Sequence, residues 1–134
     1  MSHPTVYPAL RYEDADAAID FLVEAFGFRV RARHDGPGGT VAHAELELGN
    51  GIVMLGSQRD DDLRTRVPRD VGRVTCSLYV VVDDVDAHYE RAVAAGAEVV
   101  RPLHDTDYGS REHVVRDPEG HVWSFGTYDP YAAD

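Results

Sequence analysis

The sequence predicts an α+β fold: two βαβββ modules forming a cup-shaped mixed β-sheet, with helices on the outside. Two observations carry this expectation. The stretches "DADAAIDFLVEAFGF" from Asp14 and "DDVDAHYERAVAAGAEV" from Asp83 share one capped, amphipathic pattern, and each is flanked by strand-like runs in the same order, one before and three after. A polar, aperiodic segment separates the two halves. Together these features divide a single domain of 134 residues into a module over about 5–57, a linker over 58–72 and a module over about 73–128.

The first module opens with the strand-like run "VYPALRY". Asp14 then suits an N-cap, because its carboxylate accepts from free backbone N–H groups. Ile19, Leu22, Val23 and Phe26 recur at i, i+3, i+4, i+7, the stripe of a helix with one buried face. Gly27 supplies a left-handed end. Three strands are expected next, at Phe28–His34, Thr40–Leu48 and Ile52–Gly56, set apart by the turn signals "DGPGG" and "GNG". The linker lacks clear periodicity, and at about 3.3 Å per residue it reaches roughly 50 Å. That length permits the modules to pair within one chain or across two.

The second module repeats the scheme. "VTCSLYVVV" reads as its first strand, Asp84 as its N-cap, Val85, Tyr89, Ala92 and Val93 as its helical stripe, and Gly96 as its terminator. Strands follow at Glu98–Leu103, Arg111–Arg116 and His121–Thr127. Strand alternation puts Ser77 and Tyr79 on one face and Cys76, Leu78 and Val80 against the helix layer, with Cys76 as a small buried hydrophobe. In the last hairpin, Pro118 and Gly120 suit a three-residue loop with a glycine bulge. That loop pairs Asp117 with His121, Val114 with Ser124 and Glu112 with Gly126. It sends Glu112 and Ser124 to the open face, and Trp123 and Phe125 under a helix. A two-residue loop would instead set His113 opposite Ser124.

Composition narrows the function classes. The chain carries 13 basic and 24 acidic side chains, a formal net charge of −11, which argues against nucleic acid and against anionic membrane surfaces. A cationic ligand is compatible with that balance. One cysteine allows no intramolecular disulfide. No apolar run approaches the roughly 20 residues of a membrane span, and "MSHPTVYPAL" has no leader-like pattern, so a cytoplasmic location is expected. The seven histidines form no His-x-His or His-Glu-x-x-His motif, Gly-x-Ser-x-Gly is absent, and "DGPGGT" lacks the lysine of a phosphate loop. "HDTD", His104 to Asp107, reads as a polar turn before a strand, His88 as half-buried at the helix stripe, and His34 and His43 as neighbours across the "DGPGG" turn.

The paired βαβββ layout, the "DADAAIDFLVEAFGF" helix and the "RDPEGHVWSFG" hairpin together resemble the vicinal oxygen chelate superfamily of glyoxalase I, extradiol dioxygenases and the bleomycin and fosfomycin resistance proteins. The resemblance spans roughly Tyr7 to Tyr128 and implies fold more than function. Enzymes of that superfamily hold a divalent metal on His, Gln or Glu from the first and last strands of the modules. The matching positions here are Tyr7, Met54, Ser77 and Ser124. These side chains are not the imidazole and carboxylate donors such sites use. Neither a metal nor another cofactor is therefore expected. The resemblance favours the non-metal, bleomycin-resistance-like branch. Tyr7, Met54, Ser77, Tyr79, Glu112 and Ser124 would line a cup for a small organic ligand, neutral or cationic, in a homodimer. A metal-dependent lyase or dioxygenase with differently placed ligands, and a regulatory or protein-binding module, are the alternatives.

Overall fold

The computed structural model describes residues 3–132. Its elements run β1 (Ala9–Tyr12), α1 (Ala15–Phe26), β2 (Arg29–Asp35), a 3-10 turn (Pro37–Gly39), β3 (Val41–Leu48), β4 (Gly51–Ser57), α2 (Pro68–Val71), β5 (Leu78–Val81), α3 (Val85–Ala94), β6 (Glu98–Asp105), β7 (Arg111–Arg116) and β8 (Val122–Gly126). They form two four-stranded sheets of matching order, β1-β4-β3-β2 and β5-β8-β7-β6. Each sheet is mixed: its first and last strands run parallel and its remaining neighbours antiparallel. These are the two expected βαβββ modules.

The helices start and stop where their sequence signals lie. Asp14 and Asp84 accept from the backbone N–H of Ala17 (3.0 Å) and Ala87 (3.1 Å), satisfying donors that a first helical turn leaves free. Gly27 ends α1 in the left-handed region at φ 87°. The α3 stripe is narrower than its spacing suggests. Val85 and Ala92 are buried, but Val93 lies on the exposed side.

One hydrophobic core joins the modules. Helix α1 packs on α3, and Phe26 sets its ring against Trp123 (centroids 5.3 Å apart) and Phe125 (4.8 Å). Val53 and Leu55 of β4 face this core, as do Trp123 and Phe125 of β8. Each sheet thus turns one face toward the helices and leaves the other open.

The turn Asp117–Gly120 is a latch between the halves. Asp117 is buried, and its carboxylate accepts from the Tyr12 hydroxyl (2.7 Å), Trp123 Nε1 (3.1 Å) and the backbone N–H groups of Glu119 and His121 (3.1 Å each). Glu119, equally buried, accepts from the N–H groups of Glu13 (2.6 Å) and Asp14 (2.9 Å) at the entry to α1. Burial, reinforced by the Asp117 charge, raises the Tyr12 phenol well above its ordinary pKa. The three-residue hairpin register holds: Asp117 N–H donates to His121 O at 3.0 Å, Val114 pairs with Ser124, and Glu112 pairs with Gly126.

Other expectations need correction. Cys76 is exposed, because β5 begins only at Leu78 and the preceding residues do not enter the sheet. His104 and Asp105 lie in β6 rather than in a turn, since cross-strand pairing with Glu112 and Arg111 extends that strand. The linker also contains structure. Val67 is fully buried, α2 follows it, and Arg69 N–H donates to Glu119 O (2.9 Å), tying the linker to the latch.

Candidate functional site

The open face of the second sheet carries the candidate site. Side chains alternate across a strand, so Trp123 and Phe125 inside imply Ser124 outside. Pairing carries that face sideways, from Tyr79 to Ser124, Ser124 to Val114, and Val114 to Arg101. Glu112, two residues before Val114, shares it. A cavity of about 590 Å³ opens there, and Tyr79, Arg101, Glu112, Ser124, Tyr108 and Tyr128 contribute to its lining. Three of the expected site residues, Tyr79, Glu112 and Ser124, meet around it.

Glu112 is 8% exposed and carries the negative charge of the cavity. The Tyr108 hydroxyl donates to its Oε1 at 2.8 Å. The Tyr79 hydroxyl approaches the same carboxylate beside Oε2 but gives its proton to Tyr128 O, so among the described residues Oε2 receives no donor of its own and the carboxylate forms no ion pair. The Tyr79 hydroxyl donates to the Tyr128 backbone oxygen at 2.9 Å. Three tyrosine rings stand at steep angles: Tyr79 to Tyr128 with centroids 6.4 Å apart at 63°, and Tyr108 to Tyr128 at 5.9 Å and 84°. The hydrogen bond to Glu112 raises the Tyr108 pKa, while partial burial and then the Glu112 charge raise that of Tyr79. Gly126 makes the approach of these groups possible. A Cβ there would stand 2.6 Å from Glu112 Cγ and 2.7 Å from the Tyr79 hydroxyl.

The remaining expected residues lie elsewhere. Ser77 and Tyr79 border a second, mainly apolar cavity of about 600 Å³, between β1, β4 and β5. Tyr7 precedes β1, and its hydroxyl donates to Pro4 O at 2.6 Å. Met54 sits on the open face of the first sheet, beside Ala9 and Glu45. Neither Tyr7 nor Met54 lines the two cavities just described. The carboxylates of that first sheet are paired, Glu47 with Arg29 and Arg31, Glu45 with Arg31 and His43. His34 stacks on His43 across the turn at 6.3 Å.

Sequence reasoning missed Tyr108, Tyr128 and Arg101. Tyr108 sits in the turn between β6 and β7, and Tyr128 in the tail after β8, where no periodicity reports a facing. The available signal was the lone tyrosine of "TDYGS" and the pair in "TYDPY".

Behind the cavity, β7 turns His113 into the core. His88 Nε2 lies 3.0 Å from Phe26 O, and only a protonated nitrogen can make that bond. His88 Nδ1 is then the acceptor for His113 Nε2–H at 3.1 Å. This leaves His113 Nδ1 as a buried acceptor without a donor among the described residues. Burial first, then the neighbouring His88, push the His113 pKa down to about 4.

The superfamily metal does not fit this donor set. The four positions that the resemblance assigns to it, Tyr7, Met54, Ser77 and Ser124, offer a phenol, a thioether and two alcohols, and among the described residues no three His, Cys, Asp or Glu side chains converge as a metal-binding group.

Comparison with known proteins agrees with the architecture. A family profile described as Glyoxalase/Bleomycin resistance protein/Dioxygenase superfamily matches residues 3–125. An uncharacterized protein of Mycobacterium bovis is 40% identical over 129 residues, spanning 92% of this chain and 82% of the relative. The crystal structure of TioX from Micromonospora sp. ML1 superposes with a TM-score of 0.73 at 42% identity, covering 94% of this chain and 98% of that one. The fosfomycin resistance protein FosX from Mesorhizobium loti shares the fold at 15% identity, with a TM-score of 0.69 and coverage of 99% and 98%.

Proposed function

We propose a binding role for this chain, which belongs to the Glyoxalase/Bleomycin resistance protein/Dioxygenase superfamily. Within that superfamily it holds a small organic molecule without a resident metal, sequestering an antibiotic or aromatic metabolite in the cytoplasm. The observation that carries this reading is the composition of the 590 Å³ cavity: three tyrosines, Ser124 and one buried carboxylate on a rigid sheet. Its size and its mixture of aromatic surface with a few fixed polar groups suit an organic ligand. The tyrosine rings provide contact area at little entropic cost, and Ser124 supplies orientation.

Two measurements test this reading. Elemental analysis of protein purified without chelator should find no near-equimolar Fe, Mn, Ni or Zn; a stoichiometric signal lost on mutating cavity residues would refute it. A thermal-shift screen of neutral and cationic aromatic compounds, followed by calorimetry, should yield a ligand that raises stability by mass action. Tyr79→Ala should weaken its binding by removing aromatic contact, and Ser124→Glu by crowding the floor. A ligand that binds both variants like the parent does not use this cavity.

The bound form is a homodimer in this proposal. The outer edges of β1 and β5 pair with no strand among the described residues, and the apolar cavity beside them is flanked by exposed Val6 and Val81. Light scattering should report twice the 14.8 kDa chain mass at micromolar concentration. A strictly monomeric mass across concentrations would exclude the dimer.

A further inference from the structure

Glu112 selects among the ligands this cavity could take. A buried carboxylate usually has a cation or several donors around it, because removing it from water is costly. Here the Tyr108 hydroxyl serves Oε1, and the one hydroxyl beside Oε2, that of Tyr79, gives its proton to Tyr128 O, so among the described residues no donor is committed to Oε2. A neutral planar ligand laid across the cavity would strip water from Oε2 and replace it with nothing. An anion would meet the carboxylate directly. A cation offsets the lost hydration.

The kind of cation is constrained as well. A hard metal ion requires several oxygen ligands, and this cavity presents one carboxylate already half engaged. A guanidinium binds a carboxylate best through both oxygens, and the Tyr108 hydroxyl already takes one lone pair of Oε1 and competes for that edge. What suits the remaining oxygen is a compact charge surrounded by apolar groups. Tyr79, Tyr108 and Tyr128 supply the matching wall, since aromatic faces attract such cations. Their 40%, 59% and 39% exposure leaves ring surface free for contact. Gly126 lets the carboxylate and the Tyr79 ring converge on one point.

We infer that the cavity is an aromatic cage for an organic ammonium ion, a quaternary or alkylated amine seated against Glu112 Oε2 and the three tyrosines. The inference rests on the reading of this cavity as the ligand site and adds the ligand's charge and shape. Arg101 lies on the same lining and is exposed, so it opposes the cation from the rim.

The experiment compares choline with its uncharged carbon isostere, 3,3-dimethylbutan-1-ol, by calorimetry on the full chain. Choline should bind about tenfold tighter, the scale of cation–aromatic and charge pairing at a partly desolvated site. Glu112→Gln preserves shape and should remove most of that preference while leaving the alcohol unaffected. Tyr108→Leu should weaken choline more than the alcohol. Arg101→Ala should strengthen choline severalfold. Equal affinity for the two probes, no choline binding, or choline binding unchanged by Glu112→Gln overturns the inference. In any of those cases, a neutral aromatic ligand weakened by Tyr79→Ala would leave the binding role standing. If no such ligand exists either, both fall.

Discussion

The last hairpin buries three carboxylates and treats them in two ways. Asp117 receives four hydrogen bonds and Glu119 two, all from groups of the chain itself. Glu112, five residues before Asp117 on the same strand and turn, receives one side-chain donor and opens on a cavity. Burial alone therefore does not mark a functional acid. A satisfied carboxylate holds structure together, whereas one with an oxygen left over is prepared for something from outside. The contacts of Asp117 and Glu119 explain why this turn needs its acids. They join β1 and the start of α1 to the second module.

The strongest way to break this contrast is Asp117→Ala. It would strand the Tyr12 hydroxyl, the Trp123 indole N–H and two backbone donors in a dry environment. The expected loss is about 3–5 kcal/mol in urea unfolding, the cost of opening a buried charged network. Tyr12→Phe removes a single donor and should cost about 1–2 kcal/mol. A loss below 1 kcal/mol for Asp117→Ala would mean that the latch does not hold the modules.

The next effect concerns His113, the neighbour of Glu112 on the opposite face of β7. Its unpaired Nδ1 faces the core, unlike the unpaired oxygen of Glu112, so no ligand is available to complete it. His88 and Tyr89 lie against the ring, and Arg91 adds positive charge beside His88. All disfavour or fail to stabilise a further positive charge. With a folded pKa of about 4 against about 6.5 unfolded, the unfolded chain takes up the proton first. Stability is complete above pH 6.5 and falls as pH drops toward 4, by an upper limit of about 3 kcal/mol. Urea titrations from pH 7 to 4 should show a shallower decline in His113→Leu than in the parent. Parallel declines would remove His113 as the cause.

Much of this arrangement was legible in the sequence because it follows local rules. Asp14 and Asp84 announce their caps, Gly27 its left-handed turn, and Pro118 with Gly120 the loop that fixes which residues of β7 and β8 face outward. The facing of Glu112 and Ser124 followed from that register, and that of Tyr79 from alternation along β5. The cage did not, because Tyr108 and Tyr128 reach it from a turn and a tail, where side-chain direction depends on tertiary contacts. Cys76 failed for a related reason: alternation was extended into residues that precede the strand. The burial of Val67 in an aperiodic linker was equally invisible, since no local pattern marks it and the bond that ties the linker down, Arg69 N–H to Glu119 O, joins residues far apart in sequence.

The smallest expected effect sharpens the contrast most. Glu112→Gln keeps the shape of the side chain and can still accept from the Tyr108 hydroxyl. It removes a buried charge that makes no ion pair among the described residues, while no donor is stranded. The loss of one charge-assisted bond and the relief of burying that charge have opposite signs. Each amounts to about 1–2 kcal/mol, so unfolding stability should change by less than about 1 kcal/mol in either direction. The same charge removal as Asp117→Asn should cost several times more, because one side-chain oxygen becomes an amide that cannot accept all four bonds. Paired urea unfolding of the two variants tests this directly. If Glu112→Gln destabilises the chain as much as Asp117→Asn, Glu112 is a structural acid like its neighbours and the cavity loses its reason to attract a cation. If the first is near neutral and the second is not, the two kinds of buried carboxylate are separated by stability alone, before any ligand is known.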